Sequence, residues 1–492
     1  MTAQTVPPPA THPVPARATR REWIGLVALA VPSALVSVDL FVLLLALPQL
    51  SRDLGATSNE QLWILDSYGF LLSGFLVTMG NLGDRIGRRK LLLIGGTAFG
   101  LASILAAFAP TPELLILARA LLGVAGATLA PSTLALIGNM FRDEKQRSLA
   151  IGVWLVSMIS GSATGPLVGG IMLEHFWWGS VFLLAVPAMV VLLIVGPRYL
   201  PEYRSEHAGR IDLPSVVLSF VAILPVIYGI KELAKNGAQP LPIASLLAGL
   251  ALGAAFLQRQ RRLEHPLVDL KLFADRSFTT ALVSMLANTM LAGAVMVFIT
   301  QFFQLVLGYS PLESGLWMLP AVAAGIVSFQ VSPLLARRIR PARLIPAGLA
   351  ISTAGLLTIT QANSLAPIVI GFVLINLGAG PLVTLGTNLV IGSAPPERAG
   401  AAASISQTFN ELGFALGVAL LGTLGTVVYR ANLHGVPAEN GVTSVTDPEY
   451  VAVARDAFAS GVHVVAWVSA AVFVAVAVLI ARQLRHVPPI GA

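Results

Sequence analysis

The sequence predicts an all-α polytopic membrane protein. Only 11% of its 492 residues are charged, against about 25% in a typical soluble domain. Hydrophobic residues make up 55% of the chain, and the mean hydropathy is +0.80. The apolar residues gather into uninterrupted runs of roughly 18 to 30, the length that crosses a hydrocarbon core about 30 Å thick. These observations exclude a soluble enzyme.

The apolar runs predict fourteen spans, arranged as six, two and six. A disordered cytoplasmic tail is expected over 1–22, followed by an N-terminal six-helix bundle over 23–196. A linker with two extra transmembrane helices occupies 197–276. The C-terminal six-helix bundle covers 277–482, and a cytoplasmic tail covers 483–492. The last bundle contains a long outer loop, 429–459, which is either a solvated connector or a helical cap over the outer mouth.

The distribution of positive charge predicts the orientation. Cytoplasmic loops retain Lys and Arg, and with the N-terminus inside, all but six of the 31 Lys and Arg fall on inner segments. Five of the exceptions lie in outer loops, and the sixth, Arg119, lies inside a span. Both termini are therefore predicted to be cytoplasmic. The net charge of +7 is explained by topology, so no nucleic-acid partner is expected.

Other site classes are excluded by composition. The chain has no Cys, which excludes disulfides, Cys-ligated metal and thiol catalysis, and its seven His residues form no ligand pair at helical spacing. No nucleotide-binding G-x-x-x-x-G-K-[ST] motif is present. The first apolar run is too long for a signal-peptide core and is interpreted as a retained span. We expect no metal and no cofactor.

The two six-helix blocks resemble distant copies of each other. The basic turn 80–90 between spans two and three has a counterpart between the second and third spans of the last block, in Arg337, Arg338, Arg340 and Arg343. Parallel repeats of this kind place a substrate site between the halves, near the bilayer midplane. The two extra spans carry no recognisable chemistry, and we expect them to form a structural bridge.

The basic turn is the strongest local motif. It combines Gly80, Asp84, Arg85, Gly87, Arg88 and Arg89. Glycine permits a tight turn between helices. A carboxylate among guanidinium groups can hold charge-assisted bonds to a facing helix end in one conformation and release them in another. A loop that only sets topology would need the cations but not a glycine-framed Asp84, so we interpret the turn as a conformational latch.

Four stretches of the chain resemble the major facilitator superfamily, and within it the fourteen-span drug:proton antiporters that export quaternary ammonium and other lipophilic cations. The basic turn matches G-x-x-x-D-R-x-G-R-R. Span four matches L-x-x-x-R-x-x-x-G from Leu115 through Arg119 to Gly123. Span one contains Asp39 followed by Ala46-Leu47-Pro48. Span five matches the antiporter motif G-x8-G-x3-G-P-x2-G-G with Gly152, Gly161, Gly165, Pro166, Gly169 and Gly170.

The resemblance implies roles for several of these residues. Arg119 would take part in proton transfer; alternatively, it is a structural lock to a carbonyl or carboxylate of another helix, because a cation inside a span needs a partner or a cavity. The glycines of span five permit close helix packing, and Pro166 permits a kink. The resemblance adds the direction of transport, which is export.

Three acidic residues are candidates for coupling protons to cations. Asp39 lies deep in span one, and desolvation disfavours the charged form of a lone carboxylate at that depth. Asp66 lies near the outer end of span two, and Glu411 lies midway along span thirteen. Asp39 and Glu411 could instead form helix–helix hydrogen bonds, and Asp66 could be an interfacial acid in contact with water.

Aromatic rings attract lipophilic cations through their quadrupole. The candidates for a pocket are Phe41, Trp63, Tyr68 and Phe302. Each could also serve in packing or in the interfacial aromatic belt.

The predicted function is that of a non-enzymatic secondary transporter. We expect a monomeric, multi-pass protein of the inner or plasma membrane that exports lipophilic cations by alternating access, driven by inward proton flow. One alternative cargo is an endogenous metabolite or self-made antibiotic. A further alternative is a membrane sensor without transport, because the fold alone permits it.

Overall fold

The computed structural model describes residues 18–141, 143–204, 212–236, 239–263, 266, 268, 270–362, 364–393, 399–433 and 448–489. All regular structure in these residues is helical. The helices are α1 Arg20–Leu54, α2 Ser58–Ile86, α3 Arg88–Ala107, α4 Pro112–Met140, α5 Glu144–His175, α6 Ser180–Leu183, α7 Ala185–Tyr199, α8 Leu213–Asn236, α9 Pro240–Arg262, α10 Arg276–Gln301, α11 Pro311–Ala336, α12 Pro341–Ile359, α13 Leu365–Gly392, α14 Ala399–Asn432 and α15 Pro448–Gln483. A 3₁₀ helix, Leu270–Ala274, precedes α10, and a π-helix, Phe302–Val306, follows it.

Local sequence signals explain the turns that connect the first helices. Thr19 and Thr57 cap α1 and α2 through reciprocal bonds with a glutamate three residues later, which satisfies the free N–H groups of a helix start. Gly55 ends α1 with φ 64°, and Gly87 separates α2 from α3 with φ 113°; both values favour glycine. We call the two ends of the whole helical assembly the Gly55 side, or Gly55 end, and the Gly87 side, or Gly87 end.

The helices form two bundles and a hairpin. In the first bundle α1 packs on α5 and α2 on α4, while in the second α10 packs on α14 and α13 contacts both α11 and α12. The helices α8 and α9 pack mainly on each other, at a close approach allowed by Gly229 and Gly249. Helix α8 also contacts α2 and α14, where Ile227 packs with Phe70 and Ala415. The hairpin therefore touches both bundles.

Membrane-spanning helices are confirmed by their length and hydropathy. Eleven helices of the described chain are long and apolar enough to cross a membrane, or twelve if α2, bent by 51° between 76 and 78, counts as one span. The helices α5 and α8 contribute only shorter apolar stretches, Leu149–Met158 and Pro214–Ile230. The chain is a multi-pass membrane protein, and the count of fourteen remains a prediction.

Helices extend into two of the predicted connecting segments. The loop expected over 429–459 is helical at both ends, because α14 continues to Asn432 and α15 begins at Pro448. Proline is favoured in the first turn of a helix, where no N–H group is needed. Residues 434–447 of that loop, the N-terminal residues 1–17 and the last residues 490–492 lie outside the described part. The predicted N-terminal tail also ends early, since α1 starts at Arg20.

The Gly87 end of the α8–α9 hairpin is fastened by polar side chains. The Arg259 guanidinium donates from Nε and Nη2 to the two carboxylate oxygens of Asp212, at 2.9 and 2.7 Å. Ser215 also bonds to Asp212 and accepts a bond from Gln260. A bidentate charge-assisted pair holds two helices in a fixed orientation, so the hairpin is a rigid unit at this end.

Candidate functional site

The central feature of the first bundle is a buried ion pair. Arg119 of α4 is 1% exposed and Asp39 of α1 is 7% exposed. The Arg119 Nη1 donates to Asp39 Oδ2 at 2.9 Å, and its Nε donates to the Ile64 carbonyl of α2 at 3.2 Å. The guanidinium carbon lies 4.5 Å from the centre of the Tyr68 ring, within cation–π range. One side chain thus joins three helices.

Glycine explains how α2 comes close enough to supply these contacts. A Cβ at Gly123, one turn beyond Arg119, would overlap the backbone carbonyl of Tyr68. The spacing L-x-x-x-R-x-x-x-G therefore puts the arginine and the close approach on the same face of α4, because residues four apart on a helix share a face. Substituting Gly123 would separate Tyr68 and Ile64 from Arg119.

The prediction that Asp39 is a lone carboxylate was wrong. The physical reason is that α4 packs near α1 in the first bundle, so the long Arg119 side chain reaches an acid 80 residues away in sequence. The alternative for Arg119, a lock to a carboxylate and a carbonyl of other helices, describes the observed geometry. Its part in proton transfer stays a prediction.

The Tyr68 phenol lies beside the buried Arg119 guanidinium. Its ring is fully buried, and a Cβ at Gly126 would lie 3.3 Å from its hydroxyl. The phenol is close enough to both Asp39 and Glu411 for coulombic interaction. Asp66, half a turn earlier on α2, is 1% exposed. It is therefore buried and not an interfacial acid in contact with water.

Glu411 is the acidic residue of the second bundle. It is half-buried on α14, and the Gln407 amide donates to its Oε1 at 2.9 Å. This bond lies within α14, so it is not the helix–helix bond considered as an alternative. Sequence analysis missed Gln407, although its spacing of four residues is the spacing at which helical side chains interact.

The predicted aromatic pocket is not assembled in this conformation. Phe302 has no exposed surface and packs in the core, which is the packing role considered as its alternative. Tyr68 is equally inaccessible beneath Arg119. Trp63 is partly buried beside the cluster around Phe70. The side chain of Phe41 lies outside the described part.

The basic turn fastens α3 to the segment that follows α7. Asp84 forms an ion pair with Arg88 at 2.6 Å, and the Arg88 N–H donates to the Tyr203 carbonyl at 2.9 Å. The Glu202 carboxylate accepts from the Arg89 N–H at 3.1 Å. A carboxylate at a helix N-terminus is favoured by free N–H groups and the dipole. A Cβ at Gly87 would overlap Glu202.

The structure thus adds Glu202 to the predicted latch. Its sequence signal is weak, since it lies in a polar connector 113 residues from Arg89. Arg85 is exposed, and a Cβ at Gly80 would lie 3.8 Å from Pro131 of α4. All contacts of the turn described here are made with the first bundle or with the segment that directly follows α7.

The glycines of α5 contact two different partners. Gly161 and Gly169 face α1, where a Cβ would overlap the Ala34 carbonyl and approach Val42. Gly170 faces the start of α11 in the other bundle. A Cβ added at Gly170 would lie 2.5 Å from the Leu312 Cα. Gly165 is buried. For Gly152 the expected packing role was wrong in this conformation, because nothing in the described residues lies within 4 Å of an added Cβ.

The two bundles also meet through α2 and α14 and through α5 and α11. An added Cβ at Gly69 would lie 3.0 Å from the Ala415 Cβ, and one at Gly422 would lie 2.8 Å from a methyl of Leu62. The Pro166 carbonyl touches Gly315 of α11. These contacts lie toward the Gly55 side, where the bundles are closed against each other.

A polar bond reinforces this closure. The Gln304 amide, in the π-helix after α10, donates to the Leu45 carbonyl of α1 at 3.0 Å. A cavity of about 60 Å³ remains beside it, bordered by Gln61, Phe298 and Tyr429. Sequence analysis missed Gln304, since nothing in its local pattern indicates a partner on α1.

The described residues hold no group of three or more His, Cys, Asp or Glu able to bind a metal ion. The polar groups that the structure brings together are instead a buried arginine with one carboxylate, and a second carboxylate across the interface. Such an arrangement can hold and exchange a proton or an organic cation, but it offers no nucleophile beside a base.

Comparisons with known proteins agree with this fold. The sequence is 40% identical over 496 residues to the multidrug efflux pump LfrA of Mycolicibacterium smegmatis, covering 96% of this chain and 98% of that protein. It is 36% identical over 419 residues to the methyl viologen resistance protein SmvA of Salmonella typhimurium, covering 84% of each.

The fold is similar to that of a solved transporter. A bacterial homologue of the human lysosomal transporter Spinster, crystallised in an inward-facing and unoccupied conformation, superposes with a TM-score of 0.69 at 15% identity, over 95% of this chain and 98% of that one. The sequence profile of the Major Facilitator Superfamily matches residues 29–418. The chain therefore belongs to the Major Facilitator Superfamily and is a membrane transporter, not an enzyme.

Proposed function

We propose that this transporter exports lipophilic and quaternary ammonium cations in exchange for protons. The observation that carries the proposal is the buried Asp39–Arg119 pair, beside a Tyr68 ring that interacts electrostatically with Glu411 of the other bundle. The names of the two relatives support it, since one is a multidrug efflux pump and the other confers resistance to methyl viologen, a dication.

The ion pair gives the exchange a physical basis. With Asp39 ionised, Arg119 neutralises it; when Asp39 takes a proton, the guanidinium keeps only the Ile64 carbonyl and the Tyr68 ring. An organic cation that reaches the carboxylate competes with Arg119 for the same charge. Because one buried negative charge balances one positive charge at a time, proton and cation occupy the site alternately.

Closure at the Gly55 side supports an assignment of this conformation within the proposed transport cycle. If the chain has fourteen spans with both termini in the cytoplasm, the Gly55 side is extracellular, and the closed state admits substrate from the cytoplasm. Rocking of the bundles would separate Gly69 from Ala415 and Gly315 from Pro166. In this cycle the latch formed by Asp84, Arg85 and Arg88 favours the outward-facing state.

The coupling test uses inverted membrane vesicles that accumulate an ethidium-type dye. In the wild type, added dye should release protons from the vesicles. Asp39→Asn and Glu411→Gln should each reduce coupled dye uptake at least tenfold, because each removes a group that can hold either the proton or the cation. Dye fluorescence and intravesicular pH are recorded together.

The matched controls are Asp53→Asn at the exposed end of α1 and Glu174→Gln on the exposed end of α5. Both remove a carboxylate outside the site and should leave coupling intact. Export of neutral compounds as well as cations, by the wild type and by Asp39→Asn alike, would refute the electrostatic exchange and favour a metabolite or antibiotic exporter. Absence of any dye movement in a folded wild type would favour the sensor.

Asp84→Asn should slow turnover more than it weakens drug binding. The substitution removes the ion pair with Arg88, which lies at the end of the bundle and acts on the balance between conformations. We expect at least a fivefold lower transport rate with drug affinity changed less than twofold, measured by dye binding to purified protein and by vesicle uptake. A large loss of affinity at unchanged turnover would contradict this role.

A further inference from the structure

An open, strongly basic cavity lies at the Gly87 end of the second bundle. It has a volume of about 400 Å³ and lies between the turn joining α11 to α12 and the C-terminal segment. Its lining consists of Arg338, Ile339, Arg340, Arg343 and Pro489. Among the residues that the structure describes, no carboxylate contributes to this lining, and all three arginines are exposed. The cavity therefore suits an anion.

The corresponding turn of the first bundle is different. There Arg88 is paired with Asp84, and Arg89 is held by Glu202 and by the carbonyls of Pro197 and Leu200. In the part of the chain that the structure describes, none of the three cavity arginines forms an ion pair. The two turns match in sequence position and charge, but the first pairs Arg88 and Arg89 with carboxylates and the second leaves all three cavity arginines available.

An apolar groove runs along the bundle next to this cavity. It has a volume of about 440 Å³ between α12 and α15, and its floor is formed mainly by small side chains. Pro346, Ala350, Ala354 and Leu357 line it from α12. Ala350, Ala354 and Leu357 are exposed on the outer surface of the bundle, so the groove opens toward the surrounding lipid.

The cavity and the groove form one continuous surface. Arg343 precedes Pro346 by three residues, and residues three and four apart lie on one face of a helix. The groove spans twelve residues of α12 from Pro346 to Leu357, a rise of about 16 Å at 1.5 Å per residue. One leaflet of a hydrocarbon core about 30 Å thick has nearly this depth. A charged pocket thus sits at the end of an apolar channel one leaflet deep.

We propose that this surface binds one anionic phospholipid, with its headgroup phosphate among Arg338, Arg340 and Arg343 and one acyl chain in the groove between α12 and α15. Charge complementarity selects an anionic lipid, because the ammonium of a zwitterionic headgroup would face the same three guanidinium groups. The site is separate from the Asp39–Arg119 centre, and the proposal does not depend on the transported substrate.

Lipid binding to the purified full-length chain tests the headgroup pocket. Phosphatidylglycerol or phosphatidylcholine is titrated into the detergent-solubilised protein, and bound lipid is counted by native mass spectrometry. Arg340→Gln/Arg343→Gln should weaken phosphatidylglycerol binding about 30-fold, since each cation near a lipid surface contributes about fivefold. The control Arg261→Gln/Arg262→Gln removes two exposed charges at the end of α9 and should change it less than twofold.

The groove is tested by filling it. Ala354→Trp and, independently, Ala350→Phe should reduce phosphatidylglycerol binding at least tenfold, whereas Ile351→Trp, on an exposed face of α12 beside the groove, should not. Two filling variants guard against misfolding of either one. Equal losses of phosphatidylglycerol binding in Arg340→Gln/Arg343→Gln and in the control Arg261→Gln/Arg262→Gln would overturn the headgroup site. Unchanged lipid binding in both filling variants would overturn the acyl-chain site and leave a pocket for a free phosphate.

Discussion

Arg119→Leu is expected to destabilise the protein and abolish coupled export. The substitution leaves Asp39 buried without its partner. Removing one member of a buried ion pair typically lowers the free energy of unfolding by about 3–5 kcal/mol. The Ile64 carbonyl loses its donor as well. We therefore expect a clear drop in the thermal unfolding midpoint of purified protein, together with dye uptake at the background level.

The double variant Asp39→Asn/Arg119→Leu separates stability from transport. Removing both charges abolishes the unpaired buried carboxylate, so most of the lost stability should return while uptake stays at background. The stability of Arg119→Lys should fall between those of the wild type and Arg119→Leu. A single ammonium cannot contact Asp39, the Ile64 carbonyl and the Tyr68 ring as the planar guanidinium does. If Arg119→Leu were as stable as the wild type, Asp39 would not be ionised in the folded protein and the exchange would fail.

A disulfide between α2 and α14 should stop transport reversibly. Gly69→Cys/Ala415→Cys joins the two bundles at a point where an added Cβ would lie 3.0 Å from the Ala415 Cβ, about 0.5 Å below the short end of the usual Cβ–Cβ range of a disulfide. The natural chain contains no cysteine, so no other thiol interferes. Oxidation should lock the Gly55 side closed and reduce uptake to background, and a thiol reductant should restore it.

The control disulfide joins two helices of the same bundle. Gly100→Cys/Met189→Cys links α3 to α7, where an added Cβ would lie 3.5 Å from the Met189 Cβ. This bridge should form equally well and leave uptake intact, because α3 and α7 both lie in the first bundle. Transport that survives the α2–α14 bridge, with cross-linking verified by mass spectrometry, would show that the Gly55-side interface does not need to open.

The helices were largely predictable because composition and hydropathy act locally. Spans, the basic turn and the glycine series of α5 can all be recognised from residues within one or two turns. The helical ends of the predicted outer loop were missed because their polar composition resembles that of a connector. Hydropathy records burial in lipid and does not detect a helix that continues beyond the membrane.

The residues of the candidate site could be proposed one by one from the sequence, but their pairings could not. Arg119, Asp39 and Glu411 were each recognised as costly inside a span. That Arg119 meets Asp39 depends on how α4 lies beside α1, and Glu202 meets Arg89 only after α7 returns to the basic turn. Contacts between residues about 100 positions apart leave no local pattern, so partners on other helices appear only in the folded chain.

The π-helix after α10 has a consequence for the helical phase of the residues beyond it. Its Leu307 N–H bonds to the Phe302 carbonyl, five residues back, so this turn holds about one residue more than an α-helical turn. One extra residue rotates the side chains that follow it within this helical turn by about 100°, since an α-helix has 3.6 residues per turn. The direction of Gln304 therefore depends on a single surplus residue, and deleting Phe302 or Phe303 would turn Gln304 away from α1 while leaving composition and hydropathy almost unchanged.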